Sequence, residues 1–276
     1  MLKKIIISIG VSILLLIIGG YLYFANYLYN KNINFEVCKK VNVQLLDSTQ
    51  NRFVTQTEVR GIIDNFFGKQ VGKKVTEIDL NLVEELLNKR SAIKNSQVSI
   101  TRDGIMNINI TQRKPILRIQ TENGGFYVDE EKYIFPLVSS FTSYVPIVSG
   151  KIPFTLNSDH RGLAIEDYND WMGKILNLGY YINYHPFWNA QIEQIYVGEN
   201  GDIYLSPRVG NHKIVIGDLD NIEAKFKKLY AFYKTIIPVE GWDKYSSVNV
   251  KYNNQIVCQL NKEYKKEVNN NINKAL

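Results

Sequence analysis

Hydrophobic residues open this chain as one long run, and the stretch from Ile5 to Phe24 contains no charged side chain. In an α-helix, twenty residues reach about 30 Å, the thickness of the hydrocarbon core of a bilayer. Tyrosines crowd the far end of the run, where aromatic rings favour the headgroup region. The pattern predicts a transmembrane helix over residues 5–24, after a cytoplasmic stub of residues 1–4 and before a linker of residues 25–32.

A cleaved signal peptide is the alternative interpretation of this segment. Such a peptide has a shorter apolar stretch and a cleavage site of small residues, and Phe24-Ala25-Asn26 matches that site poorly. Lys3 and Lys4 precede the run, and basic residues beside a span favour the cytoplasm. We therefore expect a single-pass inner-membrane protein with a cytoplasmic amino terminus and the remaining chain outside.

Residues 33–113 mix strand and helix periodicities and predict a compact α/β unit. A strand over Val37–Leu45 precedes Thr55-Gln56-Thr57-Glu58, a capping box that marks the start of a helix. The apolar face of this helix consists of Val59, Ile62, Ile63, Phe66 and Phe67. A second helix starts at Asp79 and has on one side Leu82, Val83, Leu86 and Leu87. Two alternating runs then meet at Asp103-Gly104 as a hairpin, so the order is strand, helix, helix, strand, strand.

Residues 114–260 are richer in alternating runs and predict a mixed β domain with two helices. The predicted strands cover Ile116–Gln120, Phe126–Asp129, Val145–Val148, Ile192–Val197, Asp202–Ser206, Lys213–Ile216, Ser247–Tyr252 and Gln255–Leu260. Helical spacing appears from Tyr168 to Leu176 and from Ile222 to Tyr233. Residues 261–276 form a polar tail that we expect to be disordered. The predicted fold class is α+β: one transmembrane helix, the α/β unit and this β-rich domain.

The charge balance excludes some functions. Lysine and arginine number 33 against 27 acids, and beyond residue 30 the balance is +4. Nucleic-acid binding requires a clustered basic stripe, which this sequence lacks. The three histidines lie at least 25 residues apart and no Cys-x-x-Cys pair occurs, so the sequence predicts neither a metal nor a cofactor. Without a phosphate loop, dinucleotide motif or nucleophile elbow, no small-molecule substrate is predicted.

Three short segments contain residue types that recur in active or binding sites. Ser158-Asp159-His160 has the residues of a catalytic triad, although neighbours in sequence rarely have triad geometry. Asp129-Glu130-Glu131 offers paired carboxylates for glycoside hydrolysis, or the solvated acids of a turn. The aromatic stretch from Tyr180 to Trp188 suits a glycan or partner platform, or an ordinary core. Cys38 and Cys258 would pair only in an oxidising compartment, and we expect two buried thiols.

The order of these parts resembles the bacterial cell-division protein family FtsQ (DivIB). The α/β unit is similar to that family's POTRA domain, and Phe53 to Val59 resembles the start of its first helix. Further resemblances are Gln112-Arg113-Lys114-Pro115 to its domain junction, Phe126 to Pro136 to its valine–aspartate hairpin, Val145 to Gly150 to its proline-to-glycine segment, and Val248 to Tyr252 to its closing strand. The sequence departs from the family at Lys132, where the hairpin often has glycine, and in having no tryptophan after the last strand.

The resemblance implies a non-catalytic divisome scaffold and not an enzyme. Family members bind the small bitopic proteins FtsB and FtsL and help to recruit and control septal peptidoglycan synthesis. A partner strand adds to the sheet edge near the end of the β domain, where unpaired N–H and C=O groups lie in a row. By that analogy Lys251 pairs with a partner acid, Tyr252 is an aromatic anchor, and Ile256 and Cys258 lie on the adjoining strand. The expected location is the division septum, with the ectodomain in the periplasm.

Three alternatives stay open. Tyr252 and Ile256 could instead be core residues of the β domain. A membrane-anchored periplasmic cell-wall hydrolase would use Asp129-Glu130-Glu131. An outer-membrane biogenesis protein would share the POTRA unit, but residues 114–260 contain two helical stretches and no regular ten-residue alternation.

Overall fold

The computed structural model describes residues 2–32, 37–47, 52–164 and 166–266, and in the first helix it places the side chains of residues 10 and 12–28. The chain divides into two compact units, one of residues 1–46 and 54–111 and the other of residues 47–53 and 112–276. Each unit has its own cluster of buried apolar side chains. The predicted mixture of α and β structure is confirmed.

The first helix, α1, spans Leu2–Asn32. Leucine and isoleucine dominate its first half and proline is absent, which favours a continuous helix. Among the described residues, no helix has both the length and the apolar character that crossing a bilayer requires. The transmembrane helix predicted over Ile5–Phe24 is therefore not confirmed by the structure.

The first unit continues with a three-stranded sheet and two helices. The strands are β1 (Lys40–Leu45), β2 (Ile93–Ile100) and β3 (Ile105–Gln112). Their order is β1-β3-β2, with β1 parallel to β3. The helices are α2 (Gln56–Phe67) and α3 (Leu80–Asn88). The predicted order of strand, helix, helix, strand, strand is confirmed.

Side-chain caps start both helices of this unit where the sequence predicts them. The Thr55 Oγ1 atom accepts a hydrogen bond from the backbone N–H of Glu58 at 3.1 Å. The Asp79 Oδ1 atom accepts one from the N–H of Leu82 at 3.0 Å. Each cap satisfies a donor that the first helical turn leaves unpaired, so these boundaries follow from local chemistry.

The apolar faces of these two helices are narrower than the sequence predicts. The buried residues are Val59, Ile62 and Ile63 in α2 and Val83 and Leu87 in α3. Phe66, predicted to be core, is 68 % exposed, and Leu82 is exposed as well. A sheet of three strands contacts only a narrow stripe of each helix, so positions at the margin of the apolar face remain in solvent.

The described part of the second unit is built on one ten-stranded sheet. Its strands are β4 (Pro115–Thr121), β5 (Gly124–Asp129), β6 (Tyr133–Pro136), β7 (Ile147–Gly150), β8 (Gly162–Leu163), β9 (Ile192–Val197), β10 (Ile203–Pro207), β11 (Lys213–Gly217), β12 (Tyr245–Asn249) and β13 (Val257–Leu260). Their order across the sheet is β13-β12-β11-β10-β9-β7-β4-β5-β6-β8. The pairs β4–β7, β7–β9 and β11–β12 are parallel, and the others are antiparallel.

Among the described residues, four named helices accompany this sheet: α4 (Asn169–Tyr184), α5 (Pro186–Gln191), α6 (Ile222–Thr235) and α7 (Ile237–Glu240). The two longer ones correspond to the two predicted helices. Residues 262–266, which the sequence assigns to a disordered tail, are also helical. Trp188 of α5 is fully buried, and its ring centroid lies 5.0 Å from that of Phe226 and 5.6 Å from that of Tyr233, both on α6. Edge-to-face packing of these rings holds α5 against α6.

Residues 47–53, which the sequence groups with the first unit, belong to the second. The Asp47 carboxylate accepts hydrogen bonds from the N–H of Gln112 at 3.1 Å and from its Nε2 at 3.2 Å. Phe53 is buried and packs edge-on against Tyr127 at 5.4 Å. Both anchors involve residues more than sixty positions away, so no local pattern could have assigned this segment.

Candidate partner-binding edge

The strand β13 forms one edge of the second sheet. It pairs with β12 on one side, where Cys258 lies opposite the buried Val248. Val257 and Gln259 are exposed, whereas Cys258 and Leu260 are half-buried. Side chains alternate between the faces of a strand, so Cys258 belongs to the core face and Val257 to the outer face. No strand of the described residues lies beyond β13, and its outer side therefore offers main-chain groups to a further strand.

Ile256 and Cys258, two of the predicted partner-binding residues, both pack against the core cluster of this unit. Burial raises the pKa of the Cys258 thiol, so at neutral pH it is a protonated, weakly polar side chain. Cys38 is fully buried, and both cysteines are free thiols. The structure thus places Ile256 and Cys258 beside the edge but turned toward the core, and their contact with a partner stays a prediction.

Tyr252, the predicted aromatic anchor, lies in the turn between β12 and β13 and is 49 % exposed. The predicted strand Ser247–Tyr252 is too long at its end, because the Asn249 side chain accepts the Lys251 N–H at 2.9 Å. Such a local side-chain bond replaces a ladder bond and ends the strand. The exposure of Tyr252 does not fit the core alternative.

Lys228 of α6 is hydrogen-bonded to the backbone of this turn. Its Nζ donates to the carbonyl oxygen of Val250 at 2.8 Å and to that of Tyr252 at 2.5 Å. Burial, and secondarily the charge of Lys225, lower the pKa of Lys228. The Tyr252 ring is therefore presented from a backbone that is hydrogen-bonded to the helix behind it.

Lys251 already has an acid in its own chain. Its Nζ donates to both oxygens of Asp202 on the β9–β10 hairpin, at 2.9 and 3.0 Å, and this contact raises the pKa of Lys251. The Lys251 stem crosses Gly217, where φ is +76° and an added Cβ would lie 2.6 Å from the lysine Cγ and Cδ. Both the positive φ and the close approach of the Lys251 stem therefore require glycine at position 217. A partner acid would have to join or displace Asp202.

A groove of about 800 Å³ opens beside Tyr252, between α6 and the β12–β13 turn. Its charged lining consists of Lys225, Lys227, Lys228, Lys251, Asp218 and Asp220. The buried Lys225 places its Nζ 2.5 Å from the Asp218 Oδ1, and this hydrogen bond lowers the pKa of that carboxyl. With Asp202, the partner of Lys251, counted among the acids, the four cations exceed the acids by one, and the groove keeps a small net positive charge that favours an acidic occupant.

The acidic hairpin has a structural role at Asp129. One carboxylate oxygen accepts the Arg113 Nη1 at 2.6 Å, and the other accepts the N–H groups of Glu131 and Tyr133, both at 2.9 Å. The Arg113 guanidinium also lies 3.4 Å over the Tyr133 ring. A glycosidase needs two carboxylates that can reach the sugar, but the buried Asp129 is fully engaged within the protein.

The structure separates the residues of the remaining candidate segments by burial and contact. The Nε2 of His160 is buried without a hydrogen-bond partner in the described part of the chain, so it does not activate Ser158. The aromatic stretch divides in two: Trp188 is core, whereas Tyr184 is exposed and stacks on Tyr180 at 5.5 Å. Burial, and secondarily Glu130, raise the pKa of Tyr180 to about 12. No group of three metal-ligating side chains occurs among the described residues.

Sequence reasoning missed three residues that shape this edge: Asp202, Gly217 and Lys228. Each contacts the stretch from Val250 to Tyr252 from more than twenty positions away. Asp202 lies next to Lys251 because the sheet order β12-β11-β10 brings the β9–β10 hairpin beside the end of β12. No local pattern contained that information.

Comparison with known protein families gives two matches. The family described as FtsQ/DivIB, C-terminal related, matches residues 114–259, just over half of the chain. A POTRA-like domain matches residues 36–111. No curated protein matches the chain. The two matches follow one another along the sequence without overlap.

Proposed function

Since this chain belongs to the FtsQ/DivIB family, we propose that it is a scaffold whose C-terminal sheet edge binds small bitopic division proteins of the FtsB and FtsL type. The family is a non-enzymatic family of the divisome, and its domains mark the chain as a cell-division protein. Beyond the family assignment, the proposal covers the identity of the partners, their binding by strand addition, and the control of septal peptidoglycan synthesis. It also adds a single-pass anchor at Ile5–Phe24, a cytoplasmic amino terminus and a periplasmic ectodomain at the septum.

The observation that supports this proposal is the outer side of β13, beyond which no strand of the described residues lies, next to an exposed tyrosine. Strand addition satisfies main-chain N–H and C=O groups in a row and places alternate side chains in register. Val257 and Gln259 would contact the added strand or its neighbours, and Tyr252 would be covered by the partner. The lysine-lined groove would receive acidic residues of the partner beside that strand.

The hydrolase alternative loses its main support. Its candidate carboxylate, Asp129, is buried and bonded to Arg113 and two backbone N–H groups. A carboxylate in that position stabilises a turn and is not free to attack or protonate a glycosidic bond.

Depletion of the protein tests the function in the cell. We expect filamentous cells that lack septa, and mid-cell fluorescence from a tagged, complementing copy. Normal septation after complete depletion would refute the role in division.

Replacement of Tyr252 tests the binding edge. We expect Tyr252→Ala to weaken capture of a purified FtsB/FtsL-type complex by at least tenfold, because aromatic anchors at the centre of an interface often contribute 2 kcal/mol or more. The melting temperature should change little, because the ring is half exposed. Tyr144→Ala, at another exposed tyrosine of the same unit, is the matched control. Equal losses of capture in the two variants would exclude a special role for Tyr252.

A further inference from the structure

A second basic surface lies on the first unit, at the start of β1. A cleft of about 360 Å³ opens there between β1, α2 and the loop that follows α2. Four cations line it, Lys39, Lys40, Arg60 and Lys69, against one acid, Asp64. The buried Ile63 and Gln70 contribute to its wall. Concave walls of low dielectric concentrate the field of such charges, so the cleft attracts anions.

These four cations are not neutralised within the described parts of the chain. Ion pairs among the described residues include those of Arg113, Lys151, Lys174, Lys225, Lys244 and Lys251, and none of the four lining cations takes part in them. Arg60 directs its Nη2 to the carbonyl oxygen of Val41 at 3.2 Å, which holds the guanidinium against β1. Its remaining donors suit a phosphate, which accepts several charge-assisted hydrogen bonds at once.

One exposed apolar side chain, Val71, lines the cleft, and another, Phe66, lies on the same helix as the lining residues Arg60 and Asp64. Phe66, in the last turn of α2, is 68 % exposed, and Val71, which lines the cleft, is 57 % exposed. An aromatic or aliphatic residue beside several cations is typical of surfaces that rest on a bilayer, where the cations bind headgroups and the apolar groups enter the acyl boundary. A free inorganic anion would gain nothing from Phe66 or Val71.

The cleft is also close to α1 along the chain. Six residues separate Asn32, the end of α1, from Lys39. Even a fully extended segment of this length spans at most about 25 Å. The anchor of the proposed function ends at Phe24, and α1 continues for eight more residues, about 12 Å, to Asn32, so the cleft is held within about 37 Å of the headgroups.

From the charge, the apolar rim and this short tether, we propose that the cleft binds the phosphate headgroup of an anionic membrane lipid. This inference rests on the membrane anchor of the proposed function but not on the partners or on the edge strand β13. Bound lipid would fix the first unit against the membrane surface instead of leaving it free on its tether.

A titration of the full chain in a zwitterionic detergent tests this site. The probe is dioctanoyl phosphatidylglycerol, followed by ³¹P NMR. We expect saturable binding that the triple variant Lys39→Gln, Lys40→Gln, Arg60→Gln weakens at least tenfold. The control triple variant Lys74→Gln, Arg90→Gln, Arg102→Gln removes equal charge from exposed positions of the same unit outside the cleft and should bind as the parent does. Equal losses in the two triple variants would show diffuse attraction and overturn the proposal.

Further arms separate the sources of the anion. Dioctanoyl phosphatidylcholine should bind at least tenfold more weakly than the anionic lipid. The double variant Phe66→Ser, Val71→Ser should weaken lipid binding while leaving binding of inorganic phosphate unchanged. Inorganic phosphate or a glutamate-rich peptide binding as tightly as the lipid would overturn the lipid assignment.

Failure of this site and failure of the scaffold proposal give different results. If the purified chain does not bind the lipid, while depleted cells still form filaments and capture of the partner still depends on Tyr252, only the proposed lipid site is refuted. Saturable lipid binding by the purified chain, together with normal septation in depleted cells, would support the cleft and refute the role in division.

Discussion

Arg113 and Asp129 stand in two separate motifs of the sequence, a domain junction and an acidic hairpin, and the structure joins them in one ion pair of 2.6 Å. Both side chains are largely buried, at 11 % and 2 % exposure. The ring of Tyr133 covers the guanidinium, and two backbone N–H groups complete the carboxylate's bonds. The acidic hairpin, which suggested glycoside hydrolysis from the sequence, is therefore explained by a buried ion pair.

Asp129→Asn should lower the free energy of unfolding of the second unit by about 3 kcal/mol. The amide can still accept the backbone bonds, but it leaves the nearly buried Arg113 charge without its partner, and breaking such a pair costs about 3–5 kcal/mol. Urea denaturation followed by tryptophan fluorescence measures the change. Glu131→Gln is the control, because that carboxylate is 52 % exposed and 3.9 Å from the guanidinium. It should cost no more than about 0.5 kcal/mol, and a similar loss in both variants would contradict the assignment.

His212 gives the second unit a pH dependence. The ring is buried, its Nε2 lies 2.6 Å from the Tyr233 hydroxyl, and its Nδ1 has no partner among the described residues. Burial lowers the pKa of His212. The unfolded chain therefore binds the proton first, so this contribution to stability is complete above about pH 6.5 and declines as the pH falls.

We expect the free energy of unfolding to fall between pH 7 and pH 5, by up to about 1.4 kcal/mol per pH unit from this one proton. His212→Gln should flatten that slope even if it lowers stability overall. Urea denaturation at pH 7, 6 and 5 measures both quantities, with His160→Gln as the control for loss of a histidine elsewhere. An unchanged slope in His212→Gln would disprove the assignment.

At the scale of elements, β13 is a four-residue strand whose two faces differ. Cys258 faces the core with Ile256 beside it, and Val257 and Gln259 face solvent. Short edge strands limit unwanted pairing, while the neighbouring turn and groove add selectivity for one partner. A partner strand that paired with the outer side of β13 would therefore lie beside the exposed side chains of Val257 and Gln259.

Val257→Asp should therefore weaken partner capture at least tenfold with little change in melting temperature. The substitution places a carboxylate directly beside the position of an added strand, where the neighbouring cross-strand side chain would partly desolvate the charge. Val239→Asp, at an exposed valine of α7, is the matched control. Pull-down of the partner complex and thermal melts measure the two effects, and undiminished capture by Val257→Asp would place the interface elsewhere.

At the scale of the whole molecule, two units with separate cores should unfold as separate transitions. The three tryptophans, Trp171, Trp188 and Trp242, all belong to the second unit, so their fluorescence follows it selectively. Circular dichroism follows both units. The two signals therefore report different parts of the same chain.

Thr55→Ala should destabilise only the first unit, by about 1 kcal/mol, because it removes the cap of α2. The dichroism transition should shift and the fluorescence transition should not. Asp129→Asn should shift the fluorescence transition instead. Thr76→Ala, at an exposed threonine outside the caps of α2 and α3, is the control for the first variant. Coincident shifts of both signals would show that the chain unfolds as one unit.

Features carried by neighbouring residues were predictable. The Thr55 and Asp79 caps and the Asp103-Gly104 hairpin each depend on residues within four positions. The helical period also located α2, although it overestimated the buried face by including Phe66. Local hydrogen bonds and periodicity are properties of short segments, so they are present before the chain folds.

The sequence by itself determined the order of the elements in the first unit and the family resemblance that the comparisons confirmed, but it missed β6, β8, α5 and α7 in the second unit. Only the tertiary structure decided that Lys251 pairs with Asp202 and that Asp129 belongs to Arg113. It also decided that β13 is an edge strand among the described residues and that Asp47 and Phe53 contact the second unit. The physical reason is distance along the chain: strand order and buried pairing bring together residues whose separation leaves no periodic trace in the sequence.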